Sequence, residues 1–207
     1  MNKYLTVGAI ASASIAAVAA PATAAVTVSG SVDSMVLNDS DPGLVLYGSA
    51  LSFADFVLAN VGDTHTVDVM TIGTQEGSVN IGEDTVAKPI SANFTFSSPA
   101  GAAGTANGQS YGFIQLFTSC GLLAGGCGRV SWSNPTIFNF GNGGSFSMTL
   151  SQTTFETPGS ANVSARFELL ANSVPEPSTW AMLILGFGIV GAAMRSARRQ
   201  RTSVSFA

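Results

Sequence analysis

The chain has 207 residues, 46% of them hydrophobic and 10% charged, with a formal net charge of −4. That length suffices for one domain with a real core. One histidine and two cysteines leave no zinc-type ligand set. Residues Met1–Ala25 begin with one early cation, Lys3, followed by an uncharged Ala/Val/Ile-rich stretch and a small-residue end, Ala22-Thr23-Ala24. This is the build of a secretory signal peptide, with cleavage expected after Ala24 or Ala25.

The next segment, residues 26–173, reads as an extracytoplasmic domain. It holds eleven acids against three bases (Lys88, Arg129 and Arg166), a balance of −8 that the arginines near the C-terminus conceal in the whole-chain value. Three cations cannot neutralise a phosphate backbone, so nucleic acid is excluded as a partner. The apolar period in this segment is two. Ile90-Ala92-Phe94-Phe96, Phe146-Met148-Leu150 and Val163-Ala165-Phe167-Leu169 each alternate with polar residues, the pattern of half-buried strands. Further strands are expected at 26–32, 44–53, 65–72, 111–118, 129–132 and 136–140. Turn clusters rich in Gly, Asn and Pro separate them, and the Gly/Ala-rich stretch 100–108 reads as a mobile loop. The fold class predicted is mainly β, an antiparallel β-sandwich or jelly-roll-like domain.

Cys120 and Cys127 flank Gly121-Leu122-Leu123-Ala124-Gly125-Gly126. In an exported chain they are expected to form a disulfide, worth roughly 2–3 kcal/mol for so short a loop. A redox pair would want CxxC at a helix start, which is absent.

Three constellations invite catalytic or metal readings. Gly108-Gln109-Ser110-Tyr111-Gly112 fits the GxSxG nucleophile elbow, and His65 and Asp68 could complete a triad with Ser110. The elbow, however, needs a strand–turn–helix setting, and the surroundings read as strand. Asn38-Asp39-Ser40-Asp41 and Glu83-Asp84 are oxygen-rich, but no EF-hand ligand set follows, so solvated turns are expected and no metal site is assigned. Trp132 and Tyr111 could stack on sugars, yet isolated aromatics in a β-domain are more often core.

From Pro177 to Met194 no residue is charged, and Arg195, Arg198, Arg199 and Arg201 follow directly. Eighteen residues rise roughly 27 Å, which predicts a single transmembrane helix with the arginines on the cytoplasmic side and Trp180 at the outer interface. Gly186-Phe187-Gly188-Ile189-Val190-Gly191 fits GxGxxG inside this stretch, but a dinucleotide site needs a βαβ unit, so the match is accidental. Pro175 and Pro177 favour an extended approach that ends at Pro177, a form an enzyme cleft can grip.

Val174-Pro175-Glu176-Pro177-Ser178-Thr179-Trp180-Ala181-Met182, the Gly/Phe-containing span and the arginine cluster together resemble the PEPxxWA form of the PEP-CTERM sorting signal. The resemblance covers about the last 30 residues. It implies a substrate tag, residues 174–201, for an exosortase-type processing enzyme at the inner membrane, with Pro175, Glu176, Pro177, Trp180 and Ala181 as the sorting motif. Residues 202–207 extend past the arginines as a short cytoplasmic tail, where such chains often stop. The same kind of tail is also catalogued as a C-terminal domain of ice-binding proteins, though no Thr-x-Thr array is present. Glu83-Asp84-Thr85, Lys88-Pro89-Ile90-Ser91-Ala92, Val130–Pro135 and Phe140–Phe146 are in turn similar to a module found upstream of such tails, which implies no known chemistry.

The expectation is therefore an exported, non-enzymatic envelope or extracellular-matrix protein without a cofactor, associated with exopolysaccharide or biofilm. The alternatives are a secreted carbohydrate- or Ca²⁺-binding module and, more remotely, a secreted serine hydrolase.

Overall fold

A computed structural model describes residues 25–116, 118–133, 135–173 and 177–199. The expected signal peptide apart from Ala25, the residues Pro175, Glu176 and Arg201, and the end 202–207 lie outside the described residues. Eleven strands are present among those described: β1 (Val26–Val36), β2 (Tyr47–Ala50), β3 (Phe56–Leu58), β4 (Thr64–Thr74), β5 (Lys88–Ser98), β6 (Ala103–Phe113), β7 (Cys127–Trp132), β8 (Thr136–Phe140), β9 (Gly144–Leu150), β10 (Thr153–Glu156) and β11 (Gly159–Ala171). A helix, α1 (Pro177–Arg199), follows.

The strands form two antiparallel sheets, in the orders β10-β7-β6-β5-β1-β3 and β2-β4-β11-β9-β8. The core lies between them and follows from the alternation in the sequence. Ile90, Ala92, Phe94 and Phe96 of β5 are buried, as are Phe146, Met148 and Leu150 of β9 and Val163, Ala165, Phe167 and Leu169 of β11. Phe96, Phe138, Phe146 and Phe167 pack with ring centroids 5.0–6.0 Å apart. Each buried Phe contributes about 1.5–3 kcal/mol of transfer free energy, with about 0.5–1.5 kcal/mol more per well-placed ring pair.

Several sequence expectations are corrected here. The stretch 100–108 is mostly strand rather than loop, because β6 occupies Ala103–Phe113, and the strand expected at 111–118 ends at Phe113. Its inward positions are Gly104, Ala106, Gly108, Ser110 and Gly112, all small, so hydrophobic periodicity does not reveal it. The small size is required by close neighbours: a Cβ on Gly108 would lie 2.4 Å from the Ser131 carbonyl oxygen of β7 and 2.9 Å from the Trp132 ring. The strand expected over 44–53 is shorter, covering Tyr47–Ala50. Two strands were not foreseen: β3, which pairs Phe56–Leu58 with Val28–Val26, and β10, which pairs with β7.

The transmembrane expectation is not confirmed: among the described residues, no helix is long and apolar enough to cross a membrane. The apolar part of α1 runs only from Ala181 to Met194 and includes Gly186, Gly188 and Gly191. At about 1.5 Å per residue it covers roughly 21 Å, short of a hydrocarbon core of about 30 Å.

Candidate functional site

The C-terminal segment is built simply. The helix begins at Pro177, where a proline costs no hydrogen bond because the first backbone donors of a helix have no partner within it. From Trp180 to Ser196 every residue is exposed, including Trp180, Leu183, Ile184, Phe187, Ile189 and Met194. Arg195 is exposed at the end of the apolar stretch, and the helix continues through Arg198 and Arg199. A helix apolar around its whole circumference, with cations gathered at one end, calls for an apolar surrounding that the β-domain does not supply. Residues 173–199 match the family model of the PEP-CTERM protein-sorting motif. No curated protein and no solved structure gives a match. The sorting motif thus covers α1 and the four residues before it. The GxGxxG stretch lies within the helix, where a Cβ on Gly186, Gly188 or Gly191 would meet only open space.

At the other candidate positions the tertiary structure separates what the sequence left adjacent or undecided. Ser110 lies inside β6, in one sheet, with its side chain fully buried and its Oγ without a hydrogen-bond partner. His65 lies in β4 of the other sheet, exposed and stacked on Phe56 at 4.2 Å between ring centroids. The Asp68 carboxylate accepts hydrogen bonds from Ser164 Oγ (2.6 Å) and Asn162 Nδ2 (2.9 Å). These two bonds, the Ser164 one foremost, hold its pKa below the ordinary aspartate value. The three residues are not assembled as a triad, and no strand–turn–helix elbow surrounds Ser110. Trp132 is buried in the core, while Tyr111 is partly exposed. The Asn38–Asp41 loop closes on itself: Asn38 Nδ2 donates to the Gly43 and Leu44 carbonyls at 3.0 Å, and Ser40 Oγ reaches Asp39 at 3.5 Å.

Cys120 and Cys127 form the expected disulfide, with their Cα atoms 4.9 Å apart. The loop between them contains a 3-10 turn at Leu122–Ala124 and closes through Gly125 and Gly126, whose φ values are +82° and +88°. That left-handed backbone favours glycine. At Gly125 there is no room for a side chain either, since a Cβ would lie 2.5 Å from the Gly77 carbonyl oxygen. The loop is tied to two neighbours. Its Gly125 carbonyl accepts the Val79 N–H at 2.7 Å, and Thr157 Oγ1 donates to the Gly125 and Gly126 carbonyls at 2.9 and 3.1 Å.

Val79 belongs to the connection between β4 and β5, and this connection carries two carboxyls that sequence reasoning did not join. Glu76 Oε1 accepts the Val45 N–H at 2.7 Å. Asp84 is completely buried; its Oδ2 accepts the Asn80 N–H at 2.6 Å and its carbonyl accepts the Gly112 N–H at 2.7 Å. Burial is the largest influence on Glu76 and raises its pKa; the Val45 N–H opposes this, and the charges of Asp84 and Asp41 add to it. Glu83-Asp84 reads as a solvated acidic pair in sequence. The burial of Asp84 under Gly112, whose Cβ would lie 3.2 Å from that of Asp84, could not be read there. No group of three or more His, Cys, Asp or Glu comes together as a metal set among the described residues.

Proposed function

We propose that this chain is an exported envelope or extracellular-matrix protein, delivered by its C-terminal tail and processed by an exosortase-type membrane enzyme. The observation that carries the reading is the sorting-motif match over residues 173–199. The exposed apolar surface of α1 and its terminal arginines support contact with the membrane, with the cations held at the anionic cytoplasmic surface. The amino-terminal Met1–Ala25 segment supplies the export signal. In this reading Pro175, Glu176, Pro177, Trp180 and Ala181 are read by the processing enzyme, and Arg195, Arg198, Arg199 and Arg201 hold the segment in place until it is cut.

The β-sandwich is the cargo, and its role is non-enzymatic, in association with exopolysaccharide. The separation of Ser110 from His65, and the commitment of Asp68 to Ser164 and Asn162, support the non-enzymatic reading. Mass spectrometry of the mature protein from its native host tests the sorting proposal. A C-terminus close to Pro175–Pro177 is expected, whereas a mature chain that still ends at Ala207 would refute processing.

A further inference from the structure

The two ends of the sandwich differ in charge, and one of them carries both ends of the domain's chain. Ala25, ahead of β1, and Ser173, just past β11, line one groove with Thr27, Pro99 and Phe140. Strand register places three turns beside them. Val26 opens β1 opposite Leu58, the last residue of β3, so the β3–β4 turn at 59–63 lies here. Ser29 pairs with Ser98, the last residue of β5, which brings the β5–β6 turn at 99–102 alongside. Ala171 pairs with Ser145, and a Cβ on Gly141 would lie 3.3 Å from that of Ser173, which adds the β8–β9 turn at 141–143. These turns hold one charged residue, Asp63, and its carboxylate accepts the Ala59 and Asn60 N–H groups, both at 2.9 Å. Their exposed positions are otherwise uncharged, Val61, Ala100 and Asn142 among them. The opposite end is acidic. Asp39 and Asp41 lie in the β1–β2 connection, Glu76, Glu83 and Asp84 in the β4–β5 connection, and Glu156 pairs with Cys127 at the disulfide loop. Strands of 11 residues such as β4 run between the ends, which sets them roughly 35 Å apart. That is several times the Debye length of about 8–10 Å.

We propose that the uncharged end seats directly on the lipid headgroups of the bilayer that α1 contacts, with the acidic end pointing away. The inference rests on the membrane contact of the tail proposed above. Chain length supports it. Strand β11 ends at Ala171 and α1 begins at Pro177, so the link between them reaches at most roughly 20 Å. That is shorter than the sandwich is long, so the end that bears Ser173 is the one held to the surface. A link of this length still allows the domain to tip onto a side, and charge decides against it. Tipping would bring the exposed Asp33 or Asp68 of the flanks to an anionic lipid surface, whereas the three turns bring only Asp63, already bonded to two N–H groups. Exposed Val61 and Ala100 fit a headgroup layer that repels an acid. The seat also serves processing. It holds Ser173, where the sorting motif begins, beside a membrane-embedded enzyme, and Ala25, where the export signal is cut, lies on the same side.

The test uses the full 207-residue chain in vesicles of phosphatidylethanolamine and phosphatidylglycerol that carry a nitroxide on the headgroup. Cys120 and Cys127 are bonded to each other, so a single added cysteine takes a fluorophore. Three exposed positions are labelled in turn: Asn142→Cys at the seat, Thr66→Cys on the side of β4, and Ser78→Cys at the acidic end. Quenching is expected to be at least about fivefold stronger at 142 than at 78, given the roughly 35 Å between the ends, and weak at 66. Acids added to the seat, Val61→Glu with Ala100→Glu, should remove most of the quenching at 142, and added salt should restore it. The same charge at the far end, Gln75→Glu with Val86→Glu, should change nothing. Similar quenching at 142 and 78 overturns the proposal, because the domain then tumbles on its link. Stronger quenching at 66 than at 142 overturns it too, because the domain then lies on a side. Seat variants that melt like the parent and keep their quenching would show that charge does not select the end, and would refute it. The comparison of the three labels in the parent needs no such variant. If the chain does not float with the vesicles, the membrane reading of the tail falls and the seat falls with it. If it floats and the three positions do not differ, the seat alone falls.

Discussion

Removing the disulfide tests how the short loop at Cys120–Cys127 acts. The loop spans a sequence separation of 7, and the chain-entropy relation for a closed loop of that size gives about 2.5 kcal/mol of stabilisation near room temperature. The native loop keeps other ties when the bond is cut: the Val79 N–H to Gly125, Thr157 Oγ1 to Gly125 and Gly126, and the 3-10 turn. The loss is therefore expected to stay near the entropic value, with no collapse of the neighbouring connection. Cys127 is buried in β7, so alanine is preferred there over serine, whose hydroxyl would be stranded. The double variant Cys120→Ser/Cys127→Ala should unfold in urea with an unchanged slope and a stability lower by about 2–3 kcal/mol. In melting this corresponds to a fall of roughly 5–10 °C for a domain of this size. The oxidised parent treated with a reductant should fall by a similar amount, which separates loss of the bond from the effect of the substitutions. A loss under about 1 kcal/mol in both would refute the entropic reasoning. A loss above about 5 kcal/mol would show that the hydrogen bonds to Val79 and Thr157 depend on the bond.

Other consequences of the structure are open to measurement. Phe146, fully buried with ring centroids 5.0 Å from Phe96 and 5.1 Å from Phe138, should cost about 3–5 kcal/mol on change to Ala by urea unfolding. A cost under about 1.5 kcal/mol would mean the sheets do not pack through it. Gly108→Ala places a Cβ against the Ser131 backbone of β7 and should destabilise by about 1–3 kcal/mol; a neutral result would argue that residues 103–113 are not in the central sheet. Asp68 has a lowered pKa in the folded state, so its contribution is present above the unfolded aspartate value. It is lost as pH falls through the lower folded value, below about pH 4. Melting of the parent against Asp68→Asn should accordingly differ near neutral pH and converge in acid, with a small gap because the carboxylate is exposed. A gap that widened towards acid would contradict the assignment.

The sorting tail and the sandwich were legible for different reasons. The tail is a linear signal: Pro175-Glu176-Pro177, Trp180-Ala181, an apolar stretch and four arginines occur in a fixed order, which no folding has to assemble. The strands β5, β9 and β11 were legible because one face of each is buried, and a period of two writes that face directly into the sequence. The disulfide followed from two cysteines flanking a glycine-rich loop in an exported chain. Strand β6 escaped because it sits in the middle of its sheet opposite large rings, so its inward positions must be small, and small residues carry no hydrophobic period. The short β3 and β10 escaped because three or four residues are too few for alternation to register; their pairing partners decide them.

The sequence alone thus determined the address, the β class and the covalent loop, since each is local in the chain. Tertiary structure decided where the polar groups finish. It carried Ser110 into the interior and left His65 on the other sheet, and it held Asp68 to Ser164 and Asn162 instead of a histidine. It also buried Asp84 beside Gly112. Burial and close approach are properties of the packed sheets, so a carboxyl that reads as solvated in the chain, such as that of Asp84, is found enclosed only once the sheets pack around it.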